Sequence, residues 1–203
     1  MIRIWAAALV LLSLSPAIAQ DLPAFFDVAG VSQNDVLNVR SEPTAGSDIV
    51  GKLAAGQTGV EVVAVDDSGR WGQVNVGERS GWASMTYLVR QTPDGYGPAR
   101  QLSCFGTEPF WSLDLIQNQG GEFRDMAETT LHFPLGRLSD SGNLIGRYGT
   151  IAQTDDGTLA IIVRREACND GMSDRQFGLG IDLVLGGPGA SQTLSGCCRI
   201  GQN

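Results

Sequence analysis

The sequence is poor in lysine and histidine: Lys52 is the only lysine and His132 the only histidine among 203 residues. Acidic residues outnumber basic ones by 22 to 14, which gives a net charge of −8 at pH 7. Binding to nucleic acid needs a concentrated basic surface, and binding to an anionic membrane needs a polybasic run. The sequence has neither, so a nucleic-acid partner is not expected.

Signatures of common catalytic sites are missing as well. A Ser-His-Asp triad would have to use His132, and there is no G-x-S-x-G nucleophile elbow. There is also no Walker A loop, no dinucleotide fingerprint and no H-E-x-x-H motif. The glycine-rich residues 186–189 lack the Lys-Ser/Thr ending of a phosphate loop, so they are predicted to form a turn. No cofactor is expected.

Long hydrophobic runs are limited to Ile4–Leu14, which is too short to span a bilayer comfortably. Arg3 precedes this run and the A-x-A sequence Ala17-Ile18-Ala19 follows it, so residues 1–19 are predicted to be a signal peptide. A retained membrane anchor is the alternative. We expect a secreted or periplasmic protein that is soluble and does not insert into the membrane after signal cleavage.

Cysteine is absent from the first half of the chain, and the four that follow are Cys104, Cys168, Cys197 and Cys198. An even number of cysteines in an exported protein suggests disulfide bonds. A bond between adjacent Cys197 and Cys198 would form a strained ring. We therefore expect one of these two to pair with Cys168 and the other with Cys104. Closing a loop of about thirty residues contributes roughly 3–4 kcal/mol.

Metal binding is the alternative use of these residues. A site built from the cysteines and His132 would lack the usual C-x-x-C spacing. Asp155-Asp156-Gly157 and Asn169-Asp170-Gly171 carry oxygen ligands, but neither has the full spacing of a calcium loop. No metal site is expected.

Alternating apolar and polar residues predict short β-strands throughout the mature chain, and no helix. The predicted strands are Val36–Arg40, Gly59–Val65, Trp71–Val76, Gly81–Ala83, Phe110–Ile116, Thr129–Phe133, Arg147–Ala152, Leu159–Arg165, Leu179–Leu185 and Gln192–Cys197. Gly120-Gly121 and Asp156-Gly157 are predicted turns.

Residues 91–98 contain two prolines and two glycines and are predicted to link a domain at 28–90 to one at 99–203. The predicted class is all-β: a small barrel followed by a disulfide-stabilised antiparallel β-barrel or sandwich.

The first domain carries a series of motifs in a fixed order. They are Leu37-Asn38-Val39-Arg40-Ser41-Glu42-Pro43, Ile49-Val50-Gly51-Lys52-Leu53, Arg70-Trp71-Gly72-Gln73-Val74, Ser80-Gly81-Trp82-Ala83 and Tyr87-Leu88. The series resembles bacterial SH3 (SH3b) modules. The resemblance implies a five-stranded SH3-like barrel that binds peptidoglycan peptides or other proteins of the cell envelope.

The candidate ligand-binding residues of this domain are Arg40, Glu42, Trp71, Trp82 and Tyr87. Exposed aromatic rings beside a loop form a stacking surface, and nearby polar groups orient the ligand. The alternative is that both tryptophans fill the core of the barrel, that Arg40 is a surface cation paired with a local acid, and that Tyr87 caps the barrel end.

The second domain contains two motif clusters. The first is Cys104-Phe105-Gly106-Thr107-Glu108-Pro109-Phe110-Trp111, and the second is Cys168-Asn169-Asp170-Gly171-Met172-Ser173-Asp174-Arg175, followed later by Gly196-Cys197-Cys198. They resemble a family of exported bacterial proteins with G-T-E-P-F-W, D-G-M-S-D and G-C-C motifs. That resemblance implies an exported location and no particular reaction.

Three carboxylates of these clusters are weak catalytic candidates. Glu108 would serve as a general acid if it were buried beside Trp111, with Asp170 or Asp174 as the second carboxylate and Arg175 as an ion-pair partner. The alternative is that these carboxylates cap turns. The sequence favours a non-catalytic binding protein of the periplasm or cell envelope, with peptidoglycan or an envelope protein as partner. A cell-wall hydrolase and a protein inhibitor or scaffold are the alternatives.

Overall fold

The computed structural model describes residues 21–93, 97–155, 157–187 and 189–201. In these ranges the chain forms two antiparallel β-sheets and no α-helix; the one helical element is a 3₁₀ turn at Met85–Tyr87. The predicted all-β class is confirmed. The predicted signal peptide (1–19), the middle of the predicted linker (94–96) and Asp156 of the predicted hairpin turn lie outside the described residues. No helix in the described part is long and apolar enough to cross a membrane.

The first sheet has seven strands. They are β1 (Ala24–Val28), β2 (Val36–Arg40), β3 (Ile49–Ala54), β4 (Val60–Val65), β5 (Trp71–Val76), β6 (Arg79–Ser84) and β7 (Leu88–Arg90). Their spatial order is β3-β2-β6-β5-β4-β1-β7. Alternate residues face inward, so the core consists mainly of valine, leucine and phenylalanine side chains, with Val39, Val62 and Val74 completely buried. This is the SH3-like part of the fold.

The second sheet has nine strands. They are β8 (Gln101–Thr107), β9 (Phe110–Ile116), β10 (Gly120–Asp125), β11 (Thr130–Pro134), β12 (Ser139–Asp140), β13 (Arg147–Thr154), β14 (Gly157–Cys168), β15 (Phe177–Gly187) and β16 (Ala190–Ile200). Their spatial order is β11-β10-β9-β8-β16-β15-β14-β13-β12. β11 comes close to β13, so the sheet curls around a core in which Trp111 stacks on Phe123 with ring centroids 6.1 Å apart.

The period-two pattern predicted ten of the sixteen strands in the described residues. Val36–Arg40, Trp71–Val76 and Phe110–Ile116 have the predicted bounds, β4 begins one residue later than predicted, and the other predicted strands are longer or shifted by a few residues. The Gly120-Gly121 turn was predicted wrongly, because the chain turns at residues 117–119 and both glycines begin β10. A Cβ atom at Gly121 would lie 2.4 Å from the ring of Phe133, so glycine permits close packing of β10 on the core.

Two disulfide bonds join the motif clusters of the second sheet. Cys104 is bonded to Cys198 across the β8–β16 ladder, and Cys168 is bonded to Cys197. The expected division of the adjacent cysteines between Cys104 and Cys168 is therefore confirmed. All four cysteines are oxidised, which leaves none to act as a nucleophile or metal ligand.

β1 belongs to the first sheet but contacts both cores. Phe26 and Val28 point into the first core, whereas Phe25, on the opposite face of the strand, packs against the second core. β1 pairs with β4 on one side and with β7 on the other. The two sheets therefore share an apolar contact at this strand.

Candidate functional site

Three of the predicted ligand-binding residues, Arg40, Trp71 and Trp82, lie on the outer face of the first sheet. Arg40 lies directly opposite Trp82 in the β2–β6 pair, and Trp82 lies opposite Gln73 in the β6–β5 pair. Directly opposed residues share one face of a sheet, and their Cβ atoms are about 4.5–5.5 Å apart. Arg40, Trp82 and Gln73 therefore form a continuous row across three strands.

Gly81 allows β2 and β6 to approach each other at this row. A Cβ atom at Gly81 would lie 2.8 Å from the carbonyl oxygen of Arg40 and 2.7 Å from a methyl group of Val39. Gly81 faces inward and is buried, so its neighbour Trp82 must face outward. Glycine at 81 thus positions the tryptophan beside Arg40.

Trp71 lies on the same outer face, diagonal to Trp82. It is paired with Ser84, two residues beyond Trp82 on β6, and aromatic side chains can reach across such diagonals. Both tryptophans are partly exposed and neither belongs to the buried core. The alternative that they fill the core is therefore wrong, because the inward positions of β5 and β6 are taken by smaller residues, including Gly72 and Ala83.

The loop after β2 brings Glu42 close to Arg40. Arg40 Nη1 donates to the carbonyl oxygen of Ser47 at 2.6 Å, and Ser47 Oγ donates to the carbonyl oxygen of Glu42 at 2.9 Å. The carboxylate of Glu42 is left exposed. The loop therefore fixes the guanidinium of Arg40 and places the acidic side chain of Glu42 at the edge of the row.

Tyr87 occupies a different place, at the end of the 3₁₀ turn. Its ring packs near Gly30 in the β1–β2 loop, and 39% of the residue is exposed. The candidate site is therefore Arg40, Trp71 and Trp82, which we call the aromatic row, with Glu42 at its edge. Tyr87 remains a separate candidate.

The two motif clusters of the second sheet come together, as their disulfide bonds require. Thr107 Oγ1 donates to the carbonyl oxygen of Asp170 at 2.9 Å, which places the β8–β9 turn against the loop after β14. Glu108 is exposed on that turn, so the buried carboxylate that the hydrolase hypothesis requires is not found there. Trp111, which follows it, is buried in the second core.

Asp170 is held by its own loop. Its Oδ1 accepts from the backbone N–H groups of Met172 and Ser173, and its Oδ2 accepts from Ser173 Oγ at 2.8 Å. Burial alone would raise the pKa of this carboxyl, but these hydrogen bonds and nearby Arg175 outweigh it and lower the pKa below its usual value. These contacts favour the turn-capping interpretation over an acid–base role.

Asp174 and Arg175 connect the second sheet to the first. The backbone of Asp174 exchanges hydrogen bonds with the β5–β6 hairpin: its carbonyl oxygen accepts from Ser80 N–H at 3.0 Å, and its N–H donates to Glu78. Arg175 donates to the carbonyl oxygen of Gly77 at 2.7 Å and to the carboxylate of Glu78 at 2.6 Å. We call this loop, residues 169–176, the docking loop.

Two further contacts at the sheet junction were not predicted from the sequence. The side chain of Asn75 bonds the backbone of Gln176 in both directions, at 2.7 and 3.1 Å. Glu61 accepts a hydrogen bond from Ile200 N–H at 3.0 Å. Outward polar residues within apolar strands were the only sequence signal for these contacts, and such residues ordinarily face water.

Burial at the junction raises the pKa of Glu61 from 4.5 to about 7, although the Ile200 N–H and the charge of Arg199 oppose the rise. Glu61 lies opposite Phe25 in the β1–β4 pair, beside the apolar contact between the sheets. Packing of the two sheets therefore affects the protonation of this carboxyl. No group of three or more side chains suited to hold a metal ion occurs among the described residues.

The fold defines a small SH3-like domain attached to a second β-sheet. The family model described as Bacterial SH3 domain matches residues 35–89, which span β2 to β7 up to Val89. The chain therefore contains a bacterial SH3 domain, and this part of the sequence resemblance is confirmed. No curated protein matches the chain.

Proposed function

We propose that this protein is an exported, non-catalytic binding protein whose SH3 domain recognises peptidoglycan or a protein of the bacterial envelope. The observation that supports the proposal is the outward-facing row of Arg40 and Trp82, with Trp71 diagonal to it, in a domain that matches the bacterial SH3 family. Tryptophan offers a flat surface for apolar groups of a ligand, and the guanidinium binds carboxylates or carbonyl oxygens.

Export agrees with the oxidised cysteines. Disulfide bonds form and persist mainly in oxidising compartments such as the periplasm and the extracellular space, and all four cysteines are paired. The predicted signal peptide supports the same location. Peptidoglycan is present in these compartments, whereas most cytosolic proteins keep their thiols reduced.

Sedimentation with purified peptidoglycan sacculi tests the proposal. The wild-type protein should pellet with sacculi, and Trp82→Ala and Arg40→Gln should each weaken the retention by about tenfold, as expected for central residues of a small interface. Phe110→Ala is the matched control, because Phe110 is an aromatic side chain 47% exposed on the second sheet.

If Trp82→Ala binds sacculi as well as wild type, the aromatic row is not the wall-binding site. If wild type does not pellet with sacculi, an affinity column of envelope proteins decides between the two ligand classes. Failure of the Trp82 and Arg40 substitutions to affect either ligand would overturn the proposal.

A further inference from the structure

A cleft, separate from the aromatic row, lies at the junction of the two sheets. This cleft has a volume of about 580 Å³, within the range of sites that hold small organic ligands and short peptides. One wall is formed by β1 and the segment after β7, and the other by residues of the second sheet, including Tyr148 and Ile200. Its described lining includes neither Arg40 nor Trp82, so the cleft is separate from the aromatic row.

The cleft carries more positive than negative charge although the protein is acidic. Of its described lining residues, Arg90, Arg137 and Arg165 are basic, and Asp21 and Asp140 are acidic. Arg165 Nη1 is 2.9 Å from Asp21 Oδ1, and Arg137 Nη2 is 3.5 Å from Asp140 Oδ2. Both aspartates thus have an arginine partner within the cleft, which leaves Arg90 as the surplus cation of the lining.

The guanidinium of Arg90 has donor capacity to spare. Its Nη2 donates to the backbone carbonyl oxygen of Asp21 at 2.7 Å. Its Nε is buried and has no hydrogen-bond partner among the described residues. A buried donor without a partner costs about 1–3 kcal/mol, and more when it is charged, so the Arg90 side chain gains a strong contact if it turns to place Nε on an acceptor in the cleft. Carboxylates are the acceptors that fit the planar arginine fork best.

The remaining wall favours a ligand with an apolar body. Pro23, Phe25, Pro93 and Ile200 line the same cleft as the arginines. A simple inorganic anion would leave these surfaces in water, whereas a ligand with small aliphatic groups next to its anionic end would cover them.

We propose that the cleft binds the C-terminal carboxylate of a short aliphatic peptide. Arg90 and Arg137 hold the carboxylate, and the proline and phenylalanine side chains contact the methyl groups of the peptide. Arg137 is 55% exposed and only loosely paired with Asp140, so it can turn toward the ligand without breaking the fold. Arg165 stays bound to Asp21 and the backbone and shapes the cleft.

Calorimetric titration with N-acetyl-Ala-Ala tests this site, with the C-terminal amide of the same peptide as its matched control. The free acid should bind with a Kd in the millimolar range or below, and the amide should bind about tenfold more weakly. Arg90→Gln and Arg137→Gln should each weaken binding of the acid by about tenfold. Arg124→Gln should leave it unchanged, because Arg124 pairs with Glu122 on the second sheet away from the cleft.

Equal affinity for acid and amide would overturn the proposal, as would no binding at about 10 mM peptide. Inorganic phosphate that binds as tightly as the peptide would also overturn it, because the apolar wall would then contribute nothing. Arg90 contacts Asp21, so circular dichroism must show that Arg90→Gln is folded. If Arg90→Gln is not folded, Arg137→Gln, at an exposed position, tests the proposal instead. Trp82→Ala should bind the peptide normally, which separates failure of this site from failure of the SH3 site.

Discussion

At the scale of single residues, glycines and buried polar groups determine how the site is built. Gly81 has no side chain where β2 and β6 approach, and the neighbouring Trp82 is therefore directed outward beside Arg40. We expect Gly81→Ala to destabilise the domain by about 1–3 kcal/mol, since the added methyl group overlaps a backbone carbonyl oxygen. Urea unfolding measures this loss, and Gly46→Ala is the control because open space surrounds Gly46. Equal stability of the two variants would contradict the close approach of the strands.

Glu61 should make stability depend on pH. Its pKa is raised to about 7 in the folded protein, above the ordinary 4.5, so the folded state retains a proton that the unfolded chain releases. Stability should therefore fall as pH rises from about 4.5 to 7, and stay low above that range. A change in pKa from 4.5 to about 7 corresponds to roughly 3 kcal/mol.

Glu61→Gln is the test of this pH effect. Glutamine keeps an acceptor for Ile200 N–H but cannot ionise. The variant should be more stable than wild type at pH 8 and equally stable at pH 4 in urea unfolding. Glu42→Gln, at an exposed position, is the control. A constant difference between Glu61→Gln and wild type across this range would show that burial of the carboxyl is not the cause.

At the scale of elements, the docking loop and the β5–β6 hairpin form one unit, although their contacting residues lie 97 and 98 positions apart in the sequence. Hydrogen bonds from Asp174 and Arg175 hold the hairpin, and the Cys168–Cys197 bond anchors the base of the loop to β16. Because Ser80 lies two residues from Trp82 on the same face of β6, this contact also borders the aromatic row. The orientation of the SH3 site relative to the second sheet thus depends on these polar contacts as well as on the apolar contact at β1.

Arg175→Gln should loosen this contact without unfolding either sheet. Glu78 is 74% exposed, so its ion pair with Arg175 contributes at most about 1 kcal/mol. Hydrogen exchange should become faster at the Ser80 and Asp174 amides, while the amides of β9 stay protected. Arg124→Gln provides the comparison, as it removes another exposed ion pair on the second sheet. Unchanged hydrogen exchange at Ser80 would mean that the backbone hydrogen bonds hold the loop in place without the Arg175–Glu78 ion pair.

At the scale of the whole molecule, the sequence predicted the strands better than their assembly. Alternation identifies a strand such as Phe110–Ile116 because one face is apolar and the other polar. It missed β1, which buries residues on both faces, and β3, where Gly51 and Lys52 interrupt the pattern. It also did not predict β7, β8, β10 and β12. Asn75 and Gln176 lie 101 positions apart, so their contact depends on packing that no local pattern records. The cleft is formed by residues from separate parts of the sequence, so no local pattern predicts it either.

β1 should couple the stability of the two sheets. Phe25→Ala removes an apolar contact with the second core from a strand of the first sheet. We expect it to cost about 2 kcal/mol and to speed hydrogen exchange in β8 as well as β4. Val89→Ala, on the neighbouring strand and 58% exposed, should do neither. Faster exchange confined to the first sheet would show that the sheets unfold independently.

The position of β16 has a consequence for how the protein matures. β16 lies between β8 and β15, and it carries the partners of both other cysteines. Because the chain is synthesised from its N-terminus, residues 101–187 are made before the strand that joins their two halves. Oxidation at that stage can link Cys104 only to Cys168, which is a non-native pair. Correct pairing therefore requires either that oxidation wait until residues 190–200 are present or that disulfide exchange repair the early error.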